Sequence, residues 1–240
     1  MSVDAASVAE RLAVVRDRID QAGGGRAVQV VAVTKGFGVE AVEAALALGL
    51  DAVGENYAQE LLGKAEQLSS APTAADPTWH FLGRLQRNKV RHLAGVVAVW
   101  ESVDRAELVD EIAKRAPGAR VLVQANLSGE PQKGGAPLAD VADLVAHGRA
   151  VGLEVQGLMG VAPAGPAEAA RPGFRALVAL ADELGLPERS IGMSADLEVA
   201  VEEGATMVRV GRGLFGPRPS HDRSLPPHDR SAPPDPSTPP

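Results

Sequence analysis

A chain of 240 residues, 45% apolar and 23% charged, is long enough for one large α/β domain or two small ones with ample core. It has no cysteine, which excludes a disulfide framework, thiolate metal ligands and a cysteine nucleophile, and fits a reducing cytoplasm. The formal charge of −7 argues against nonspecific binding to nucleic acid or anionic membranes, and no apolar run approaches the roughly 18 residues that span a bilayer.

The first four residues, Met1-Ser2-Val3-Asp4, lack the basic-then-apolar layout of a secretory signal. Between Ser2 and Asp20, Val8, Leu12, Val15 and Ile19 fall on one helical stripe, and Gly23-Gly24-Gly25 ends that helix. The run from Val28 to Val33 is apolar on both faces, as a strand of a parallel sheet is, and it stops abruptly on Thr34-Lys35-Gly36. From there strands and helices alternate. A helix over Val39–Leu48 precedes a strand over Leu50–Gly54, and a helix over Asn56–Leu68 precedes a strand over Trp79–Gly83. Next come a helix over Gln86–Leu93, a strand over Val96–Trp100, a helix over Asp104–Arg115 and a strand over Val121–Asn126. The last third adds helix Leu138–Val151, strand Val155–Met159, helix Ala167–Leu184, strand Ser190–Met193, helix Ala195–Glu202 and strand Thr206–Gly211.

Eight strands alternating with helices, with one extra helix in front, predict a (β/α)8 barrel over residues 1–216. A doubly wound open sheet is the alternative, although no G-x-G-x-x-G turn follows the first strand. From Pro217 the composition changes: nine of the 18 prolines lie in the last 24 residues, which predicts a disordered tail over 217–240.

Chemistry in a parallel barrel sits at the carboxyl ends of the strands, which is where Lys35 stands. Apolar walls disfavour its charged form and free the amine as a nucleophile. Only four other lysines exist: Lys64, Lys89, Lys114 and Lys133. Closure of the barrel would put Arg209 and Gly211 of the last strand beside Lys35. Ser194, as cap of the helix that follows it, and the open loop Gly211-Arg212-Gly213 have the parts of a phosphate site. Together they point to a phosphorylated aldehyde held as a lysine Schiff base, either pyridoxal 5′-phosphate or a phosphosugar. Period-two alternation puts Met207, Arg209 and Gly211 on one face. Arg209 there either faces a pyridine nitrogen, leaving the ring a poor electron sink, or pairs with a barrel carboxylate such as Glu55.

These residues resemble the pyridoxal phosphate homeostasis proteins, relatives of the alanine racemase barrel domain. The resemblance runs from about Ser7 to Gly216. It is carried by Ala32-Val33-Thr34-Lys35, Gly54-Glu55-Asn56-Tyr57, Trp79 to Gly83, Lys133 with Gly135, Gly157-Leu158-Met159, and the long block from Gly192-Met193-Ser194-Ala195-Asp196 to Gly216. It implies that Lys35 forms the Schiff base and that Arg209 faces the pyridine nitrogen. It further implies that Ser194, Gly211 and position 212 hold the phosphate while Asn56 and Met193 line the pocket. At position 212 proteins of the family usually carry Thr or Ser, whereas this chain has Arg212.

The resemblance implies a cytoplasmic carrier that gives pyridoxal phosphate to dependent apoenzymes, with little or no catalysis. An amino-acid racemase and a Schiff-base phosphosugar aldolase are the alternatives. Racemisation needs a second acid/base group opposite the lysine, and the single tyrosine, Tyr57, is the one candidate. No long apolar stripe demands a partner, so a monomer is expected. His80, between Trp79 and Phe81, reads as a hydrogen-bonded core residue, and the cluster Arg84, Arg87, Lys89, Arg91 and His92 as a solvated helix face. Lys133, in a polar loop, is either a transfer residue or an exposed lysine. No His/Asp/Glu spacing resembles a metal site.

Overall fold

The computed structural model describes residues 3–23, 25–70, 76–130 and 134–218. Eight parallel strands close into a barrel in sequence order, with the last hydrogen-bonded to the first. They are β1 (Gln29–Val33), β2 (Ala52–Glu55), β3 (Thr78–Phe81), β4 (Val99–Val103), β5 (Arg120–Asn126), β6 (Glu154–Val161), β7 (Glu188–Ser190) and β8 (Met207–Val210). The helices between them are α2 (Val39–Ala47), α3 (Ala58–Ser69), α4 (Arg87–Leu93), α5 (Ala106–Arg115), α6 (Val141–Ala150), α7 (Arg171–Glu183) and α8 (Leu197–Glu203). A leading helix, α1 (Ala5–Gly23), and a final single turn, α9 (Arg212–Phe215), complete the set. The closed sheet settles the choice between barrel and open sheet.

Two apolar layers explain why these strands face one another. Outward-facing Val30, Ala32, Val53, Trp79, Phe81 and Trp100 join the helices in one continuous core. Inward-facing Val31, Ala52 and Met207 form a second cluster, and Val99, Leu122 and Met159 a third. The α1 stripe of Val8, Leu12, Val15 and Ile19 is buried, and α1 packs on α8 and α9. Burying such side chains contributes about 1.5–3 kcal/mol each before chain entropy is counted. Among the described residues no helix is long and apolar enough to cross a membrane.

Several boundaries differ from the sequence expectation, each for a physical reason. The fourth strand runs three residues later than its apolar run, because Glu101 and Ser102 are buried within it. The seventh strand ends at Ser190, since Gly192 turns the chain with a φ of 91°. The helix expected from Ala167 begins as a 3-10 turn, and α7 proper starts at Arg171 with Pro172 in its first turn, where proline lacks no needed donor. The loop expected at Gly211-Arg212-Gly213 winds into α9. Of the expected tail, Pro217 and Arg218 are described, and residues 219–240 lie outside the described residues.

Candidate functional site

On β1, Val31 and Val33 point into the barrel, and Lys35 continues that face at the carboxyl-end mouth. The chain turns there: the Phe37 amide donates to the Thr34 carbonyl at 3.0 Å, and Gly36 has a φ of 75°. Those values fit a type II turn with Lys35 in its second position and the obligatory glycine in its third. The Lys35 amine has no hydrogen bond or ion pair among the described residues. Burial pulls its pKa below the ordinary lysine value; the Arg218 and Arg209 charges act in the same direction, against Glu55 and Glu60.

The pairing of β1 with β8 sets Val31 opposite Arg209. Arg209 is buried, and its guanidinium is fixed by acceptors on two strands, β6 and β7. Nη1 donates to the Ser190 carbonyl at 2.5 Å and to Ser190 Oγ at 2.7 Å, while Nη2 donates to the Gly160 carbonyl at 2.7 Å. The Ser190 hydroxyl in turn donates to Glu101 Oε2 at 2.5 Å, so its lone pairs are left for the arginine. Glu101 Oε1 lies 2.6 Å from His80 Nδ1. Burial pushes the Glu101 carboxyl up, but the hydrogen bonds from His80 and Ser190 and the Arg209 charge leave it below the ordinary value. An ionised carboxylate only accepts, which puts the proton on His80 Nδ1. His80 is therefore the buried, hydrogen-bonded residue expected of it.

Arg209 does not pair with Glu55. That carboxylate points outward from β2 to α3, where it meets the buried Lys64 and accepts from Thr34 Oγ1 at 2.6 Å. The residue behind Arg209 is Glu101, which the sequence reading passed over because it ended the fourth strand at Trp100. A carboxylate two residues beyond an inward-facing Val99 was the available signal.

Across the mouth, Ser194, Ala195 and Asp196 form a turn ahead of α8. The expected cap is corrected here. Helix α8 starts at Leu197, and Asp196, not Ser194, holds its N-cap position. The Asp196 side chain accepts from the Met193 amide at 2.6 Å, which folds the turn back and leaves the Ser194 hydroxyl without a hydrogen bond among the described residues. The first turn of α9 faces that hydroxyl. A Cβ added at Gly213 would stand 3.0 Å from Ser194 Oγ and 2.8 Å from Val210 Cγ1, so only glycine keeps this space open. At Gly211 a Cβ would meet the Val33 carbonyl at 3.1 Å. The Arg212 and Gly213 amides, at the start of α9, have no backbone acceptor among the described residues.

The structure thus gathers Lys35, Arg209, Gly211, Arg212 and Ser194 at the carboxyl ends of β1, β7 and β8. Arg212 is exposed and without a partner among the described residues, and Met193 is 39% exposed beside them. Asn56 follows β2, the other neighbour of β1. The cluster around Arg87 and Arg91 lies apart on α4, against Glu111 of α5. Lys133 lies outside the described residues.

The donor set suits a phosphorylated aldehyde: an amine without a partner among the described residues, a hydroxyl and amides likewise without one beside the glycine at 213, and a fixed guanidinium. Comparison with known proteins agrees. Residues 3–219 match the family model for the alanine racemase N-terminal domain. The pyridoxal phosphate homeostasis protein of Aquifex aeolicus is 40% identical over 87% of this chain and 97% of its own length. That of Pseudomonas aeruginosa is 38% identical over 91% of this chain and 97% of its own length. Among solved structures, PipY of Synechococcus elongatus with PLP bound superposes with a TM-score of 0.76 at 32% identity, covering 87% of this chain and all of the other. On the barrel, the mouth and these relatives together, the chain belongs to the alanine racemase N-terminal domain family and, within it, to the pyridoxal phosphate homeostasis proteins.

Proposed function

We propose that this chain binds pyridoxal 5′-phosphate at the mouth described above and serves as a carrier of it. The observation that carries this reading is the unpaired Lys35 amine, its pKa lowered by burial, opposite a space that Gly213 keeps open beside Ser194. Names and structures of the relatives support it: they are called pyridoxal phosphate homeostasis proteins, and PipY was solved with PLP bound.

Bound pyridoxal phosphate supplies a reactive aldehyde on an electron-withdrawing ring. Lys35 presents the amine that anchors it. Ser194 Oγ, the Arg212 and Gly213 amides and the Gly211 backbone are the candidates for holding the phosphate, with the Arg212 guanidinium replacing the family's hydroxyl by a charge. Arg209 presents a donor that does not give up its proton, which suits a ring nitrogen and limits electron withdrawal. Asn56 and Met193 border the pocket.

A carrier role without catalysis fits the supply of acid/base groups. Racemisation needs a second group opposite the lysine. Tyr57 is 60% exposed at the start of α3, and no other tyrosine exists. We further propose a cytoplasmic monomer that hands its ligand to dependent apoenzymes. The absence of cysteine supports the compartment.

The test is an absorbance spectrum of the purified chain with and without pyridoxal phosphate, followed by borohydride reduction and peptide mass mapping. Cofactor mass on the Lys35 peptide is expected, with none in Lys35→Ala. A chain that takes up no pyridoxal phosphate refutes the reading, and cofactor mass on another lysine refutes the assignment. Incubation with L-alanine in deuterated water is expected to give no fast α-proton exchange; fast exchange would establish the racemase instead.

A further inference from the structure

Lys35 sits in a turn that the neighbouring helix α3 grips on both sides. The peptide before it is held by Lys64, whose Nζ donates to the Thr34 carbonyl at 2.8 Å. The peptide after it is held by Glu60, whose Oε2 accepts from the Gly36 amide at 2.8 Å. Glu60 and Lys64 are four residues apart on α3, hence on one face, and their charged groups are 3.9 Å apart. Lys64 is also the partner of Glu55, which in turn accepts from the Thr34 hydroxyl. Three side-chain contacts from α3 and β2 therefore converge on Thr34 and Gly36, and none of them touches the Lys35 amine.

Such an arrangement exceeds what the barrel needs. The turn already has its own closing bond from Phe37 to Thr34, and the Thr34 amide donates to the Gly54 carbonyl of β2 at 3.0 Å. A glycine at φ 75° is the most pliable residue in the chain's vocabulary, so without an outside hold the Lys35–Gly36 peptide could rotate and swing the amine out of the mouth. The Glu60 side chain is about one third exposed, at 31%, so it contributes little to the core while occupying the Gly36 amide.

We propose that Glu60, together with Lys64, is a positioning residue that fixes the direction of the Lys35 amine by clamping the peptides on either side of it. The proposal rests on Lys35 as the anchoring amine, and it adds α3 as the element that aims it. In chemical terms the clamp lowers the entropic cost of capture: the amine is held facing the mouth before the aldehyde arrives.

Two variants of Glu60 test this. Glu60→Ala removes the acceptor for the Gly36 amide, whereas Glu60→Gln keeps an oxygen that accepts from it. The first readout needs no cofactor: hydrogen exchange of the Gly36 amide is expected to quicken by about tenfold or more in Glu60→Ala and to stay slow in Glu60→Gln. The second is uptake of pyridoxal phosphate, with affinity falling about tenfold in Glu60→Ala and restored in Glu60→Gln. Exchange that is the same in both variants and the unaltered chain overturns the proposal. So does affinity that ignores Glu60→Ala, or a Gln variant as weak as the Ala variant. Absence of uptake by the unaltered chain would overturn the pocket reading itself, whereas uptake insensitive to Glu60→Ala overturns the clamp alone.

Discussion

Replacement of Lys64 by Met gives the sharpest test of how the mouth is built. Methionine keeps most of the stem volume and deletes the charge. In the native chain Lys64 has a side chain only 6% exposed, facing a Glu55 side chain at 0%. Glu55 Oε1 is shared by Lys64 and Thr34, while Oε2 is buried without a hydrogen-bond partner among the described residues. Lys64 is therefore the main counter-charge of that carboxylate. Removing one partner of a buried pair costs about 3–5 kcal/mol, because the other charge is left uncompensated. For a domain of this size that lowers Tm by on the order of 10 °C. The sign of the pH dependence follows from Glu55. Burial raises its pKa, and Lys64 is the first influence opposing that rise, so loss of Lys64 raises it further. A carboxyl raised above its unfolded value keeps its stability at low pH and loses it as pH climbs through the folded value. The deficit of Lys64→Met is therefore smaller at pH 5 than at pH 8. Adding Glu55→Gln recovers most of it, since the amide still accepts from Thr34 and carries no charge. Denaturant unfolding followed by the fluorescence of the buried Trp79 and Trp100 measures all three chains at both pH values. A deficit equal at pH 5 and 8, or a double variant no better than the single one, refutes the reasoning.

Three further outcomes follow from the same geometry. Gly213→Ala puts a methyl 3.0 Å from Ser194 Oγ, so affinity for pyridoxal phosphate falls about tenfold while that for pyridoxal, which lacks the phosphate, changes little; equal losses for both would place the phosphate elsewhere. Because burial and two neighbouring cations lower the Lys35 pKa, the rate of cofactor capture rises with pH and levels off below the ordinary lysine value of 10.5; a midpoint at or above it contradicts the buried amine. Glu101→Ala strips the acceptor from His80 Nδ1 and Ser190 Oγ and the counter-charge from Arg209, with an expected cost of about 3–5 kcal/mol in calorimetry or denaturant unfolding, and Ser190→Ala costs less; an unchanged Glu101→Ala would mean that the buried network holds nothing.

The alternation of apolar strand runs with amphipathic helices was legible, because a parallel barrel buries both faces of every strand and writes that burial as composition. Val28 to Val33 and Val121 to Ala125 are such runs, and they place β1 and β5 to within a residue or two. Lys35 was legible as well, as the first charged residue after a strand of that kind. Register was not. Sequence periodicity says that Arg209 shares a face with Met207, yet only closure puts it opposite Val31, with Lys35 farther along the same face.

What composition hides is polarity inside the barrel. An apolar criterion ends the fourth strand at Trp100, because a carboxylate in a core ordinarily costs several kcal/mol. Here Glu101 is completely buried and its desolvation is offset from three other strands, by hydrogen bonds from His80 and Ser190 and by the charge of Arg209. No window of local sequence contains more than one of the four residues, so the compensation exists only once the ring is closed. The same holds on the outer face, where the sequence offers Glu55 only as a partner for Arg209 and assigns Glu60 and Lys64 no role. Their spacing on α3 becomes informative only when β1 lies alongside and offers Thr34 and Gly36 as partners. Charged residues that the fold brings to a strand's end from a neighbouring element are thus the ones local patterning misses. In this chain they flank Lys35 and Arg209, the lysine and the arginine of the proposed site.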